Sequence, residues 1–136
     1  MSAPPATLDK VAELRAQLSD PSCLDQSTLA RALYSTDASL YRVVPEVVAT
    51  PRTTDELIEL VRAGLAVGLP ITGRGAGTSC AVNAVGPGLV IDTSRYLNKV
   101  LSVDIEAGTA VIEPGVVQAM LQKEVNPHGW RYGPDP

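Results

Sequence analysis

The residues with the clearest chemical potential lie in one glycine-rich stretch, ITGRGAGTSCAVNAVGPG, at positions 71–88. Glycines at alternate positions follow a predicted strand there, and they let the backbone approach a ligand closely because they lack a side chain. Successive N–H groups in such a turn form an anion-binding nest, and the hydroxyls of Thr78 and Ser79 add donors. Each hydrogen bond to a charged group contributes roughly 1.5–3 kcal/mol. The stretch therefore predicts a loop that holds a diphosphate without lysine, and a turn that only connects two strands is the alternative.

Two other phosphate-binding motifs compete for this stretch. A Walker loop ends in Gly-Lys-Ser/Thr, and the stretch contains no lysine, so that motif is excluded. The Rossmann fingerprint fits better, because Gly75 and Gly77 match its start and Asp92 matches its ribose-binding acid. Cys80, however, stands where its third glycine belongs, and Pro87 lies among residues that break the helix it requires. The pattern therefore favours a phosphate loop of another kind.

The apolar pattern on both sides of the loop predicts the elements that hold it. Positions 47–50 are typical of a short buried strand, and Thr53 followed by Glu56 forms a capping box that begins a helix. The apolar stripe expected on that helix consists of Leu57, Ile58, Val61 and Leu65. A second strand begins at positions 70–72, so the unit predicts a right-handed crossover and a pair of parallel strands. A third apolar run, 89–92, follows the loop.

Further elements flank this unit. A helix is predicted at 6–19, with Leu8, Val11, Leu14 and Leu18 on one face, and a shorter one after Asp25 carries Leu29 and Leu33. Strands at 100–105 and 109–113 are predicted to form a hairpin, in which Gly108 supplies a positive φ. A helix at 116–125 is expected to turn Val117, Met120, Leu121 and Val125 inward. The predicted fold class is α/β, with a small parallel β sheet, helices and a β-hairpin.

Composition limits the partners of the protein. The 136 residues include 11 Lys+Arg and 15 Asp+Glu, so the formal net charge is −4, which repels nucleic acid and anionic membranes. Hydrophobic residues make up 45% of the chain and charged residues 19%, which favours one folded domain over disorder. Because the net charge is negative, a bound phosphate is expected to be held by dipoles at one site.

Cellular location is predicted from the cysteines and the N-terminus. Cys23 and Cys80 form no CxxC pair and have no nearby histidine, so two reduced thiols and no metal site are expected. The start, MSAPPATLDK, lacks the features of a signal peptide, and no run reaches the roughly 18 apolar residues of a membrane span. The prediction is a cytoplasmic protein with no transmembrane segment.

Five segments in order carry a family resemblance: PEVVATPRTTDELIELVRAG, LPITGRGAGTS, GLVIDTSRYLNKVLSVD, VIEPGVV and HGWRYGPDP. Together they resemble the FAD-binding domain of the vanillyl-alcohol oxidase superfamily, known as the PCMH-type domain. The resemblance is greatest to its FAD-linked oxidases acting on D-lactate or glycolate. It covers nearly the whole chain after about Ser35.

The resemblance implies which residues hold FAD. The diphosphate loop would consist of Arg74, Gly75, Ala76, Gly77, Thr78 and Ser79, largely through backbone N–H groups. Asn83 would match a polar position in the same loop, and Pro134 and Asp135 would match a later turn that also touches the cofactor. Some members attach the flavin through a histidine where this sequence has Thr78, so the resemblance implies non-covalent FAD.

The resemblance also implies a division of the chain. Residues 1–34 would be an N-terminal helical segment, and 35–136 the N-terminal part of the FAD-binding domain. The family continues past its PDP turn into a second FAD segment and a substrate domain, whereas this sequence stops at Pro136, so truncation is expected. The parent protein would be an FAD-dependent oxidoreductase oxidising a D-2-hydroxy acid such as D-lactate or glycolate. This part would bind the cofactor and hold no catalytic residue.

Two alternatives to this function stay open. One is a UDP-sugar dehydrogenase of the UDP-N-acetylmuramate type, which belongs to the same superfamily. The other is a non-catalytic interaction module that no longer binds flavin.

Several single residues have a chemical and a structural interpretation. His128 is a possible general base, but a turn histidine near Trp130 is favoured because the sequence places no partner beside it. Cys80 is a possible redox thiol, but a small buried apolar residue is favoured. Trp130 and Tyr132 are suited either to stacking on a flavin or adenine ring or to the core. Asp104 and Glu106, beside the hairpin turn, are expected to be solvated.

Overall fold

The computed structural model describes residues 7–133, and within that range four strands form the main sheet in the order β1-β2-β4-β3. Their bounds are Leu24–Asp25 (β1), Val47–Ala49 (β2), Ile71–Arg74 (β3) and Leu89–Asp92 (β4). Strands β2 and β3 both run parallel to β4, with Val48 and Thr72 each opposite Val90, and β1 pairs antiparallel to β2. The predicted class, an α/β protein with a small parallel sheet, is confirmed.

One feature of the predicted crossover is wrong. The sequence predicts that the strands before and after the capped helix pair directly, but β4 lies between β2 and β3. All four residues of β4 are buried, whereas Gly73 in β3 is exposed. A strand that is apolar on both faces is most stable in the centre of a parallel sheet, and a less apolar strand suits its edge.

Three helices accompany the main sheet within the described residues: α1 (Thr7–Gln17), α2 (Thr28–Leu33) and α3 (Thr54–Ala66). Helix α3 begins as predicted, because the Thr53 hydroxyl accepts a hydrogen bond of 3.1 Å from the Glu56 N–H. The Glu56 carboxylate completes the cap by accepting from the Arg52 N–H at 2.7 Å. The predicted capping box therefore closes one residue earlier than its usual form.

The buried face of α3 differs from the predicted stripe. Leu60, Ala63 and Gly64 are buried, while Ile58 and Leu65 are 42% and 68% exposed. A β-carbon on Gly64 would lie 3.1 Å from side-chain atoms of both Ile71 and Leu89, so the helix approaches the sheet closely at this glycine. This close approach turns the face centred on Leu60 and Gly64 inward. Of the predicted stripe, Leu57 and Val61 are partly buried against the core, and only Ile58 and Leu65 face solvent.

The core joins the N-terminal part of the chain to the sheet. Leu14 of α1, Leu60 of α3 and Leu89 of β4 are fully buried in one apolar cluster, which Cys23 and Leu24 also join. Leu29 and Leu33 of α2, by contrast, are 69% and 62% exposed. The expected boundary after residue 34 stays a prediction.

The predicted hairpin is confirmed as β5 (Val100–Asp104) and β6 (Thr109–Ile112), with Gly108 at φ +64° in its turn. Helix α4 (Gln118–Val125) follows, with Leu121 and Val125 buried. Val117 and Met120 were expected to face inward, but they are 56% and 43% exposed. Val117 is the N-cap of α4 and lies outside the helix, so the stripe that α4 buries is narrower than predicted.

Candidate functional site

The glycine-rich loop occupies the position where α/β proteins commonly bind ligands. It begins after Arg74, the last residue of β3, and ends at Leu89, the first residue of β4. Its first residues therefore lie at the carboxyl edge of the parallel strands, next to Asp92 at the end of β4. Ligands of open α/β sheets bind outside the carboxyl ends of the strands.

The first half of the loop presents unpaired donors. Within residues 7–133, the backbone N–H groups of residues 75–80 donate to no protein acceptor. The Ser79 hydroxyl oxygen accepts from the N–H groups of Ala81 and Asn83, each at 3.2 Å, which leaves its proton for another acceptor. Thr78 is exposed beside it. A row of N–H groups with an adjacent hydroxyl is the donor set of an anion nest.

Two glycines of the loop have different surroundings. A β-carbon on Gly75 would meet no atom within 4 Å, so its backbone faces open space. Gly77 has φ +72°, and a β-carbon there would lie 2.5 Å from Nη2 of Arg74. Gly75 thus keeps a surface open to a ligand, whereas Gly77 is required by the fold of the loop itself.

The side chain of Arg74 contacts protein. Its Nη1 donates to the Thr36 carbonyl oxygen at 2.8 Å and to the Ala84 carbonyl oxygen at 3.0 Å. Its guanidinium carbon lies 5.1 Å from the centre of the Tyr34 ring, which is within cation–π range. The guanidinium therefore joins both halves of the loop to the chain segment before β2.

The remaining predicted residues of the loop itself lie at the surface. Ala76 and Asn83 are exposed, and Asn83 follows Val82, which has φ +65°. Such a φ is strained for a β-branched residue, and strain of this kind is concentrated at functional sites. Cys80 is exposed, so the expectation of a small buried residue is wrong. Pro134 and Asp135, predicted to touch the cofactor, lie outside the described residues.

Residues before β2 also contact this loop, which no sequence pattern predicted. The Ala38 N–H donates to the Gly77 carbonyl oxygen at 3.1 Å, and the Asp37 carboxylate accepts from the Ala84 N–H at 3.4 Å. Hydrogen bonds from Ser39 lower the pKa of the Asp37 carboxyl, so it is ionised at neutral pH. The polar run STDAS at 35–39 was the available signal, but no sequence pattern connects it to a loop 40 residues later.

Asp92 is fully engaged by protein groups. It is 5% exposed, and it accepts hydrogen bonds from the Tyr34 hydroxyl and, at 2.7 and 2.6 Å, from the N–H and hydroxyl of Ser94. Burial, together with the hydrogen bond to Asp92, raises the pKa of Tyr34 to about 12. A carboxylate with these partners is not available to a ribose, which argues further against the Rossmann interpretation.

The other candidate residues lie away from the loop. His128 is exposed in a short 3₁₀ turn, Asn126–His128, as the turn interpretation predicts. The Trp130 ring packs on Gly108 and, with Tyr132, lines a cavity of about 110 Å³ between the hairpin and α4. Both aromatic residues are about half exposed, so neither belongs to the core. Asp104 and Glu106 are exposed as expected.

Metal ligands and membrane-spanning helices are two further features to consider. Among residues 7–133, no group of three or more His, Cys, Asp or Glu side chains is placed to hold a metal ion. None of the helices in the same range has the length and apolar character needed to cross a membrane.

Fold and loop together define an α/β protein with a glycine-rich loop of unpaired N–H groups at the carboxyl edge of a parallel sheet. A family model described as FAD binding domain matches residues 45–136, which is more than half of the chain. The chain therefore belongs to this FAD-binding family, and FAD is its cofactor. The donor set fits, because the diphosphate of FAD is an anion that unpaired N–H and hydroxyl groups can bind.

Curated relatives and a solved structure are similar to the chain. Glycolate oxidase subunit GlcD of Bacillus subtilis (strain 168) is 34% identical over 128 residues, 93% of this chain and 27% of the relative. D-2-hydroxyglutarate dehydrogenase of Escherichia coli (strain K12) is 31% identical over 108 residues, 77% of this chain and 11% of the relative. A solved alkyldihydroxyacetonephosphate synthase superposes with a TM-score of 0.77 at 26% identity, covering 100% of this chain and 28% of that one. The chain thus spans about a quarter or less of the length of these relatives.

Proposed function

We propose that this chain holds the diphosphate of FAD in its glycine-rich loop. The observation that carries the proposal is the row of unpaired N–H groups at residues 75–80 beside the open backbone of Gly75. The residues proposed to form the site are Arg74, Gly75, Ala76, Gly77, Thr78, Ser79 and Asn83, with Pro134 and Asp135 as later contacts. The contribution of Arg74 and Gly77 is to the shape of the loop, since the side chain of one packs on the backbone of the other.

The flavin is proposed to be held without a covalent bond. At the position where some members of the superfamily have a histidine, this chain has Thr78, whose hydroxyl is suited to donate a hydrogen bond. Binding would then rest on hydrogen bonds from backbone and hydroxyl groups. Such binding is reversible, so denaturation in acid should release all of the flavin into solution.

The reaction of the parent protein is proposed to be oxidation of a 2-hydroxy acid. Support comes from the names of two relatives, a glycolate oxidase subunit and a D-2-hydroxyglutarate dehydrogenase. FAD, when bound, supplies the acceptor for the hydride of such a substrate. The residues of this chain would position the cofactor, and none is proposed to contact the substrate. The predicted cytoplasmic location stays a prediction.

A matched pair of variants tests the proposed site. Gly75→Val fills the open surface that we assign to the diphosphate, whereas Gly73→Val adds the same side chain at an exposed position that is equally free of neighbours. FAD fluorescence would be titrated with each protein, and riboflavin, which has no phosphate, would serve as a second probe. We expect FAD affinity to fall at least tenfold in Gly75→Val and to stay within twofold of wild type in Gly73→Val. Equal FAD affinity in Gly75→Val and wild type would contradict the assignment of the loop.

A further inference from the structure

Residues 34–38, which we call the bracing segment, contact both halves of the glycine-rich loop. Ala38 donates to the Gly77 carbonyl oxygen in the first half, and Asp37 accepts from the Ala84 N–H in the second half. The Arg74 side chain, at the start of the loop, donates to the Thr36 carbonyl oxygen. The bracing segment lies before residue 45, where the match to the FAD-binding family model begins.

Arg74 is the centre of these contacts. One nitrogen of its guanidinium bridges the Thr36 and Ala84 carbonyl oxygens, one face lies over the Tyr34 ring, and Nη2 lies against the backbone of Gly77. Tyr34 is itself fixed by its hydrogen bond to the buried Asp92. The end of β4 is therefore connected to the backbone of the loop through two side chains in contact.

Such a connection has a consequence for binding. A glycine-rich loop samples many backbone conformations, and ordering it when a ligand binds lowers affinity. Contacts that order the loop during folding remove that cost at the moment of binding. The backbone of residues 75–80 is then already ordered before an anion arrives.

We propose that the bracing segment and Arg74 are positioning residues for the FAD diphosphate, and that the Arg74 guanidinium acts on the loop and not on the phosphate. This inference rests on the function proposed for the loop. It extends the cofactor site to residues outside the family match, and it assigns to an acidic residue, Asp37, a favourable effect on the binding of an anion.

Asp37 gives the sharpest test, because charge and positioning predict opposite results. Removing a negative charge near the site should strengthen FAD binding if only electrostatics mattered. Positioning predicts that Asp37→Ala weakens FAD binding at least fivefold, because the Ala84 N–H loses its acceptor and the loop becomes mobile. FAD affinity would be measured by flavin fluorescence, and unfolding in urea would confirm that each variant is folded. Tighter FAD binding by Asp37→Ala would overturn the proposal.

Arg74→Met tests the guanidinium, with Arg95→Met as the control for loss of an exposed arginine after the neighbouring strand. We expect Arg74→Met to weaken FAD binding at least tenfold while the dependence of the affinity on salt concentration stays that of wild type. A direct ion pair with phosphate would instead make the salt dependence shallower in the variant. That shallower dependence would overturn the proposal.

Hydrogen exchange without flavin separates this inference from the function on which it rests. The hydrogen-bonded amides of the loop, those of Ala81, Asn83 and Ala84, should exchange faster in Arg74→Met and Asp37→Ala than in wild type, while β4 amides stay unchanged. Unchanged exchange in the loop would overturn the bracing role even if FAD binds. Failure of folded wild-type protein to bind FAD, with the loop ordered, would overturn the proposed function instead.

Discussion

At the scale of single residues, glycines that look alike in the sequence have different physical roles. Gly75 leaves a surface open, while Gly77 has a positive φ and packs on Arg74. At the end of the loop, a β-carbon on Gly86 would lie 2.0 Å from the Thr72 hydroxyl, and one on Gly88 would lie 2.3 Å from the Pro70 carbonyl oxygen. These last two glycines let the loop return close to β3. The close contacts at Gly77, Gly86 and Gly88 thus fix the path of the loop, while Gly75 stays open.

Gly77→Ala should therefore destabilise the fold, whereas Gly73→Ala should not. A left-handed backbone costs a residue with a β-carbon roughly 1–2 kcal/mol, and the close contact with Arg74 adds to this. We expect the free energy of unfolding in urea to fall by at least about 1 kcal/mol in Gly77→Ala. Gly73 has no positive φ, and a β-carbon there would meet no atom within 4 Å. The free energy of unfolding should therefore change by no more than about 0.5 kcal/mol in Gly73→Ala. Equal stability of the two variants would contradict this account of Gly77.

Tyr34 should make stability fall at high pH. Its pKa is raised to about 12 in the folded protein, chiefly by burial, and is near 10 when unfolded. A group with a raised folded pKa stabilises fully below its unfolded pKa, so this contribution should be lost as pH rises from about 10 towards 12.

Urea unfolding at pH 8 and pH 11 would test the role of Tyr34. Wild type should lose more stability between these values than Tyr34→Phe, which lacks the titrating hydroxyl. Tyr41→Phe, at an exposed position, serves as the control and should follow wild type. At neutral pH, Tyr34→Phe should cost roughly 1.5–3 kcal/mol because the buried Asp92 carboxylate loses a hydrogen bond. An identical loss of stability with pH in wild type and Tyr34→Phe would show that Tyr34 does not titrate in this way.

At the scale of elements, local signals were predictable from the sequence and long-range ones were not. The cap at Thr53 and the hairpin turn at Gly108 depend on neighbouring residues, and both were predicted correctly. The place of β4 between β2 and β3, and the contacts of Asp37 with the loop, depend on tertiary packing. The apolar pattern of the sequence does not predict which strand lies between two others.

The buried face of α3 offers a prediction at this scale. Leu60 is fully buried against the sheet, whereas Leu65, part of the stripe expected from the sequence, is 68% exposed. Leu60→Ala should lower the free energy of unfolding by about 2–5 kcal/mol, since it leaves a cavity in a packed core. Leu65→Ala should change it by about 0.5 kcal/mol or less. Urea unfolding of both variants measures the difference, and a larger loss in Leu65→Ala would mean that α3 is rotated relative to this structure.

At the scale of the whole molecule, the described residues form two layers of unequal burial. Helices α1 and α3 pack together on one face of the main sheet, whereas the hairpin packs on α4 and leaves all four residues of β6 exposed. Backbone hydrogen bonds connect the layers, including Gly115 N–H to the Leu97 carbonyl oxygen at 2.8 Å. A β-carbon on Gly115 would lie 2.3 Å from the Thr93 carbonyl oxygen, so the backbone after β6 lies close to the backbone after β4. The proposed FAD loop connects β3 and β4 of the main sheet.

This difference in burial predicts an order of local stability. Amides of β4, a fully buried strand with neighbours on both sides, should exchange only when the whole protein unfolds. Amides of β6 should exchange through local opening, because the strand is exposed and a two-stranded hairpin is marginally stable by itself. Native-state hydrogen exchange at increasing low urea concentrations measures both. We expect β4 amides to exchange slowest and to accelerate with urea, and β6 amides to exchange faster with little dependence on urea. Equal rates and equal urea dependence in the two strands would mean that both layers unfold as one unit.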